Sequence, residues 1–277
     1  MRGTRKAGHL DDAWLQVDGT DDPGFFVRFL DASRTRALEF ARKHPEAAFA
    51  HLGLEPGMSV LDCGCGTGDM LALIAKLIAP GEARGGDASE AMLREARRRA
   101  EAAAVANLRF ESMDVQRLPF SDGRFDRVLA TQLLVHVPEP RRALHEMCRV
   151  TAHRGRVAIA DMDWDTLVVA SSDKGLGRRF TRLFSDGVRN GVVVREYKGW
   201  LAAEGFVNVQ IMPQAMVFDS WSFFREWILD PSLPHFVAKG SMTAAEATAL
   251  VDDLANRSAA GSFFAASSFY TVTGQRH

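Results

Sequence analysis

Apolar and polar positions change rhythm twice along this chain. Residues 1–57 read as amphipathic helix in pieces, with Phe25, Phe26, Phe29 and Leu30 at helical spacing after Pro23-Gly24. Pro56-Gly57 marks a turn, and from 58 to 162 short apolar runs alternate with helix-length segments. The runs 59–63, 83–87, 108–111, 126–130 and 156–161 predict strands. Between them 67–79, 89–104 and 140–150 predict helices; the second carries Ser89 as N-cap and Met92, Ala96, Ala100 and Ala103 along one face. Such alternation builds βαβ units, hence a parallel sheet covered by helices on both faces.

After 162 the rhythm loosens. A helix near 193–204 stops at Gly205, 206–212 reads as a strand, and 220–260 reads as helical with a capping box from Thr243 to Glu246. The alternation at 268–274 predicts a last strand. The expected organisation is a helical lid over 1–55 and a core of 56–213 plus 263–277. An insertion at 163–190 and a helical cap at 214–262 complete it.

Composition narrows the class. With 277 residues, 47% apolar, the chain fills a sizeable core, and 25% charged residues at net charge −1 leave no basic excess for nucleic acid. Cys63, Cys65 and Cys148 are too few for a disulfide scaffold and lack the paired spacing of a zinc site, so no metal is expected. The basic start meets Asp11 and Asp12 where a signal peptide turns apolar, and the apolar run 70–79 is short and contains Lys76. A soluble cytoplasmic protein follows as the expectation, with no membrane partner and homo-oligomerisation left open.

The chemistry concentrates in Val60-Leu-Asp62-Cys-Gly64-Cys-Gly66-Thr-Gly68-Asp69. A strand entering a glycine turn and then a helix points backbone amides at whatever binds the sheet's carboxyl edge. The spacing is Gly-x-Gly-x-Gly, unlike a dinucleotide fingerprint, and Asp69 would repel a pyrophosphate. Asp62 suits a cationic ligand instead. Asp87, after Gly85-Gly86, ends the second strand where an acid can take ribose hydroxyls, and Asp114 follows the third strand where an acid can accept from an exocyclic amine. Together these acids describe an adenosyl ligand with a positive amino-acid tail.

At these residues the chain resembles the class I S-adenosylmethionine-dependent methyltransferases, most closely over 55–162. Gly86-Asp-Ala-Ser-Glu-Ala-Met-Leu93, Leu118-Pro-Phe-Ser-Asp-Gly-Arg-Phe-Asp126 and His136-Val-Pro-Glu-Pro-Arg-Arg-Ala-Leu144 look like the ubiquinone- and menaquinone-biosynthesis-type branch and its natural-product relatives. Ala152-His-Arg-Gly155 departs from that family's usual Pro-Gly-Gly before strand five. The resemblance implies a Rossmann-like, doubly wound, seven-stranded α/β sheet, mostly parallel with the last strand antiparallel, and S-adenosyl-L-methionine as cofactor. The resemblance assigns Asp62, Gly64, Gly66 and Gly68 to the methionine part, Asp87 to the ribose, and Asp114 with Met92 to the adenine; Cys65, Ala88, Val115, Thr131 and Trp14 complete the expected cofactor set. Cys65 is expected to contribute backbone, not thiol chemistry.

A base is sought among His136, in the loop after the fourth strand, and Asp161 or Asp163 after the fifth. Phe25, Phe29, Trp164, Phe184 and Trp221 are the acceptor-binding candidates, since 18 Phe and 5 Trp against 2 Tyr suit an apolar small molecule. Ring faces also attract a cation by about 0.5–2 kcal/mol each, which slightly favours methylation at carbon over oxygen or nitrogen. Packing of the attached helices needs many of these rings in any case. The Arg94, Arg97, Arg98 and Arg99 cluster reads as a solvated helix face, which together with the charge balance disfavours an RNA methyltransferase. The turn spacing disfavours a nicotinamide enzyme. Cyclisation assisted by the same cofactor without methyl transfer stays open, because the same turn would serve it.

Overall fold

The structure, a computed structural model, describes residues 8–277. Its strands are β1 (Ser59–Cys63), β2 (Glu82–Asp87), β3 (Leu108–Ser112), β4 (Phe125–Thr131), β5 (Thr151–Val169), β6 (Phe206–Phe218) and β7 (Ala265–Arg276). They form one sheet in the order β3-β2-β1-β4-β5-β7-β6. The first five run parallel, and β7 lies antiparallel between β5 and β6. The chain therefore builds the Rossmann-like sheet expected of it. From β1 the order leads outward through β2 one way and β4 the other, which opens a crevice at the carboxyl ends of these strands.

The helices are α1 (Pro23–Lys43), α2 (Pro45–Ala48), α3 (Asp69–Ile78), α4 (Glu90–Ala102), α5 (Pro140–Val150), α6 (Lys174–Gly187), α7 (Tyr197–Ala203), α8 (Trp221–Phe224), α9 (Asp230–Ala238) and α10 (Ala244–Ala259). Local chemistry sets their starts. Asp22 accepts from Phe25 N at α1, Ser89 from Met92 N at α4, and Thr243 and Glu246 close the capping box of α10. Each such cap is worth about 1 kcal/mol. One face of the sheet packs Leu71, Ile74 and Ile78 of α3, and the other packs Leu144 and Met147 of α5, Phe180 of α6 and Tyr197 of α7. Among the described residues no helix is long and apolar enough to cross a membrane.

Two boundaries differ from the sequence reading. Strand β5 continues through 163–169 and pairs Val168 with Ala266, and β6 reaches Phe218, so the sheet claims residues assigned above to the insertion and the cap. Acids at 161, 163 and 165 disguised the extended run. In the fold Asp161 takes the Tyr197 hydroxyl, and Asp163 and Asp165 share Arg195. The helical stretch 220–260 is also broken, with a π-helical turn at Arg225–Leu229 between α8 and α9.

Residues 8–22 form short 3-10 turns that lie against the core. Asp18 accepts from Ser89 Oγ (2.8 Å), Glu90 N (2.7 Å) and Ala91 N (2.9 Å) at the start of α4. These are the orphan amides of a helix N-terminus, where a carboxylate is favoured. Leu10 N donates to Gly187 O at 2.9 Å, and Asp12 pairs with Arg189. Val17, Phe26, Leu30 and Met92 bury a small apolar cluster between this segment, α1 and α4. The first seven residues of the expected lid lie outside the described residues.

Candidate active site

One cavity of about 810 Å³ occupies the crevice at the sheet's carboxyl edge. Its floor is the glycine turn. Gly66 (φ +55°) and Gly68 (φ +73°) take left-handed backbone that other residues adopt at a cost, and the Gly66 amide donates to Asp87 Oδ2 at 2.9 Å. Asp87 Oδ1 accepts from Ser89 N at 3.0 Å, so two backbone amides orient the carboxylate at the cavity wall. Burial pushes its pKa up, against the pull of these amides and of Arg34.

Of the cofactor residues expected from sequence, Gly64, Gly66, Asp87, Ala88, Met92, Asp114, Val115, Thr131 and Trp14 line this cavity. Asp114 is held there by an Asx-type turn, its Oδ1 accepting from Gln116 N at 2.8 Å. Three expected residues do not line it. Gly68 starts α3, and a Cβ there would stand 2.5 Å from Phe110 Cζ, so the glycine serves packing between α3 and β3. The Cys65 thiol is buried, and burial pushes its pKa up, consistent with a backbone role. Asp62 is the penultimate residue of β1, next to Cys63, and only 6% exposed. Burial pushes its carboxyl up to about 7; Arg34 opposes that rise and Asp87 adds to it.

Arg34 escaped the sequence reading. It projects from α1 into the cavity, half-buried, and a Cβ on Gly66 would lie 3.6 Å from its Nη1. Phe26, Leu30, Arg34 and Leu38 recur every four residues, so a lone cation interrupting a buried stripe was the available signal. Neither the Arg34 nor the Asp62 side chain makes a hydrogen bond or ion pair among the described residues. One unpartnered guanidinium and one unpartnered carboxylate thus flank the glycine turn. That is the complement of an α-amino acid's carboxylate and ammonium, and it fits the methionine end of S-adenosylmethionine.

The other half of the cavity is apolar. Phe25 and Phe29 of α1, Trp164 of β5 and Phe184 of α6 line it as expected, joined by Met162, Val188 and Trp227. Trp221 does not; it begins α8 and packs edge-on against Phe263 at 5.6 Å. Trp227, carried by the π-helical turn, takes that place and meets Phe25 at 4.5 Å and Phe29 at 5.1 Å. Nothing in the sequence marks that turn.

The base candidates separate cleanly. Asp161 is fully buried, accepts from Tyr197 Oη at 2.5 Å, and is pushed up to about 7 by desolvation. Asp163 is 4% exposed and bound by Arg195 at 2.7 Å. Neither lines the cavity. His136 does, from the turn after β4, with Nδ1 2.7 Å from Asp11 Oδ2 and the Trp14 ring stacked on it at 5.5 Å. The Arg97, Arg98 and Arg99 side chains are spent on Glu90, Glu95, Asp31 and Asp69.

A cavity with an adenosyl-shaped set of acids on one side and an apolar chamber on the other defines a group-transfer enzyme on a small molecule. Comparisons agree. A family model described as a methyltransferase domain matches residues 54–185. An uncharacterized 37.1 kDa protein in transposon TN4556 of Streptomyces fradiae is 34% identical over 252 residues, covering 90% of this chain and 71% of its own. Demethylmenaquinone methyltransferase of Staphylococcus aureus is 36% identical over 176 residues, 58% of this chain and 72% of that one. The solved structure of a SAM-dependent methyltransferase from Aquifex aeolicus shares the fold, with a TM-score of 0.54 at 18% identity, over 93% of this chain and all of that one. The chain belongs to the class I S-adenosylmethionine-dependent methyltransferases. S-adenosyl-L-methionine is its cofactor, and its chemistry is methyl transfer of the small-molecule type.

Proposed function

We propose that this enzyme methylates an apolar small molecule bearing an acidic hydroxyl, a phenol or enol. A single observation carries the reading: the aromatic chamber and the adenosyl-facing acids share one cavity, and His136 lines it. A relative named for demethylmenaquinone supports a small-molecule acceptor over a nucleic acid. Asp62 would hold the cofactor's ammonium, Arg34 its carboxylate, Asp87 its ribose hydroxyls, and Asp114 with Met92 and Val115 its adenine. When bound, the cofactor supplies a methyl group on a sulfonium, whose sulfur leaves with the bonding pair as a neutral thioether.

The chain's own work is placement and proton removal. Phe25, Phe29, Trp164, Phe184 and Trp227 hold the acceptor ring and exclude water, and such positioning supplies roughly 7–11 kcal/mol. His136 Nε2 takes the hydroxyl proton, worth about 10²–10⁴-fold. Composition alone favoured carbon as the methylated atom. The Asp11–His136 pair supports oxygen as the methylated atom, with carbon second, because a deprotonated phenol is nucleophilic at ring carbon as well. Incubation with methyl-labelled cofactor and a panel of phenols, enols, amines and alkenes is expected to put label on phenolic or enolic products with S-adenosylhomocysteine released. Label found only on amines or unactivated alkenes overturns the reading, as does acceptor conversion without S-adenosylhomocysteine.

Cofactor affinity is expected to depend on pH through Asp62. In the free protein its pKa is raised to about 7, and an ammonium bound against it lowers that value. Binding then releases a proton below about pH 7, so affinity weakens as pH falls through that value and levels off above it. Calorimetry near pH 6 in two buffers of different ionisation heat should detect the released proton, and Asp62→Asn should abolish the difference. Buffer-independent heats in the native enzyme would refute the assignment.

A further inference from the structure

We infer that Asp11 is the positioning residue of the catalytic base, so that the N-terminal segment completes the proton-transfer site. This rests on the reading of His136 given above. Asp11 is 5% exposed, and each of its carboxylate oxygens has a partner. Oδ1 accepts from Arg189 N at 2.9 Å, and Oδ2 lies 2.7 Å from His136 Nδ1. A carboxylate only accepts, so the proton of a neutral imidazole resides on Nδ1, and Nε2 is left with its lone pair.

Both partners are fixed by the same loop. Arg189 orients the acid, and the neighbouring Asn190 donates its side-chain amide to Leu134 O at 3.0 Å and Val137 O at 2.8 Å, holding the turn that carries His136. His136 N donates to Leu133 O at 2.9 Å. Trp14, from the same N-terminal segment as Asp11, lies nearly parallel to the imidazole at an interplanar angle of 18°. The ring is thus set in plane by Asp11 and covered on one face by Trp14. In the step served, the acceptor's O–H bond breaks, its proton goes to Nε2, and the freed oxygen pair forms the new bond to carbon. Nδ1–H stays on the ring throughout, and Asp11 remains a carboxylate beside the imidazolium. An acid in this position acts by selecting tautomer and orientation, not by taking the proton.

Histidine-selective ¹H–¹⁵N NMR on the full chain, without acceptor, tests this, with the His136 signals assigned by their loss in His136→Gln. The native enzyme is expected to show Nδ1 protonated and Nε2 unprotonated at a pH where the imidazole is neutral. Asp11→Asn, whose amide can donate to Nδ1, is expected to shift the population toward Nε2–H. It should also lower kcat at least tenfold, toward the 10²–10⁴-fold of a lost base, while the KM for cofactor moves less than threefold. Asp11→Glu should restore the native tautomer. An Nε2–H tautomer in the native enzyme, or one unchanged in Asp11→Asn, overturns the role of Asp11. A native tautomer that responds as expected while phenols and enols go unmethylated keeps Asp11's role and rejects the acceptor class instead. The native spectrum alone decides the matter if the variants do not fold.

Discussion

Arg34→Ala is expected to weaken S-adenosylmethionine binding by about ten- to hundredfold. A hydrogen bond to a charged group contributes about 1.5–3 kcal/mol, and each 1.4 kcal/mol is a factor of ten in affinity. Arg34 is suited to that share because it makes no ion pair among the described residues and desolvation already lowers its pKa, the nearby Asp62 and Asp69 resisting. A ligand carboxylate compensates that desolvation directly. The loss should be equal for S-adenosylhomocysteine, which keeps the amino-acid end. It should vanish for methylthioadenosine, which has no carboxylate and already binds without Arg34. Isothermal titration of the three ligands against both proteins checks this. An equal loss for methylthioadenosine would mean that Arg34 supports the turn and does not contact the carboxylate. Arg34→Lys should recover only part of the affinity, since an ammonium cannot offer the guanidinium's paired donors.

Deleting residues 1–22 is expected to lower turnover at least a hundredfold while leaving the core folded. The cut ends before α1, whose Phe26 and Leu30 remain packed against Met92 of α4. It removes Asp11, Trp14, the Asp22 cap of α1 and the three hydrogen bonds that Asp18 makes to the start of α4. The base would lose its tautomer control, and the cavity loses six lining residues, Leu10, Asp11, Ala13, Trp14, Leu15 and Val17. Circular dichroism should keep its native form, and thermal stability should fall by a few degrees, since α4 retains Ser89 as its own cap. Turnover within threefold of the full chain would refute the lid.

Much of the acidic, glycine-lined half of the cavity was legible in the sequence because it is local. Asp62, the glycine turn, Asp87 and Asp114 each sit at the end of a strand whose apolar run is plain, and parallel topology brings successive strand ends to one edge. The aromatic half of the cavity is assembled from α1, β5, α6 and the Arg225–Leu229 turn, far apart in the chain, so which rings face inward depends on packing. Trp221 and Trp227 are indistinguishable by composition, and only the π-helical register turns the second inward. Asp11 was read merely as an acid that spoils a signal peptide, because its partner His136 is 125 residues away. Arg34 was visible in principle as a charge within an apolar stripe. Strand β5 ran longer than expected because its acids find Tyr197 and Arg195 only in the folded state.

The docking of residues 8–22 also bears on the pace of the enzyme. The acids and the aromatic rings line a single cavity, and its roof is pinned by Asp11, Asp12 and Asp18 to three separate places on the core. Undocking of that roof is the expected route by which spent cofactor and product leave. Weakening the ties at Asp12 or Asp18, which leave His136 and its partner Asp11 in place, should therefore speed ligand exchange without altering the proton-transfer step.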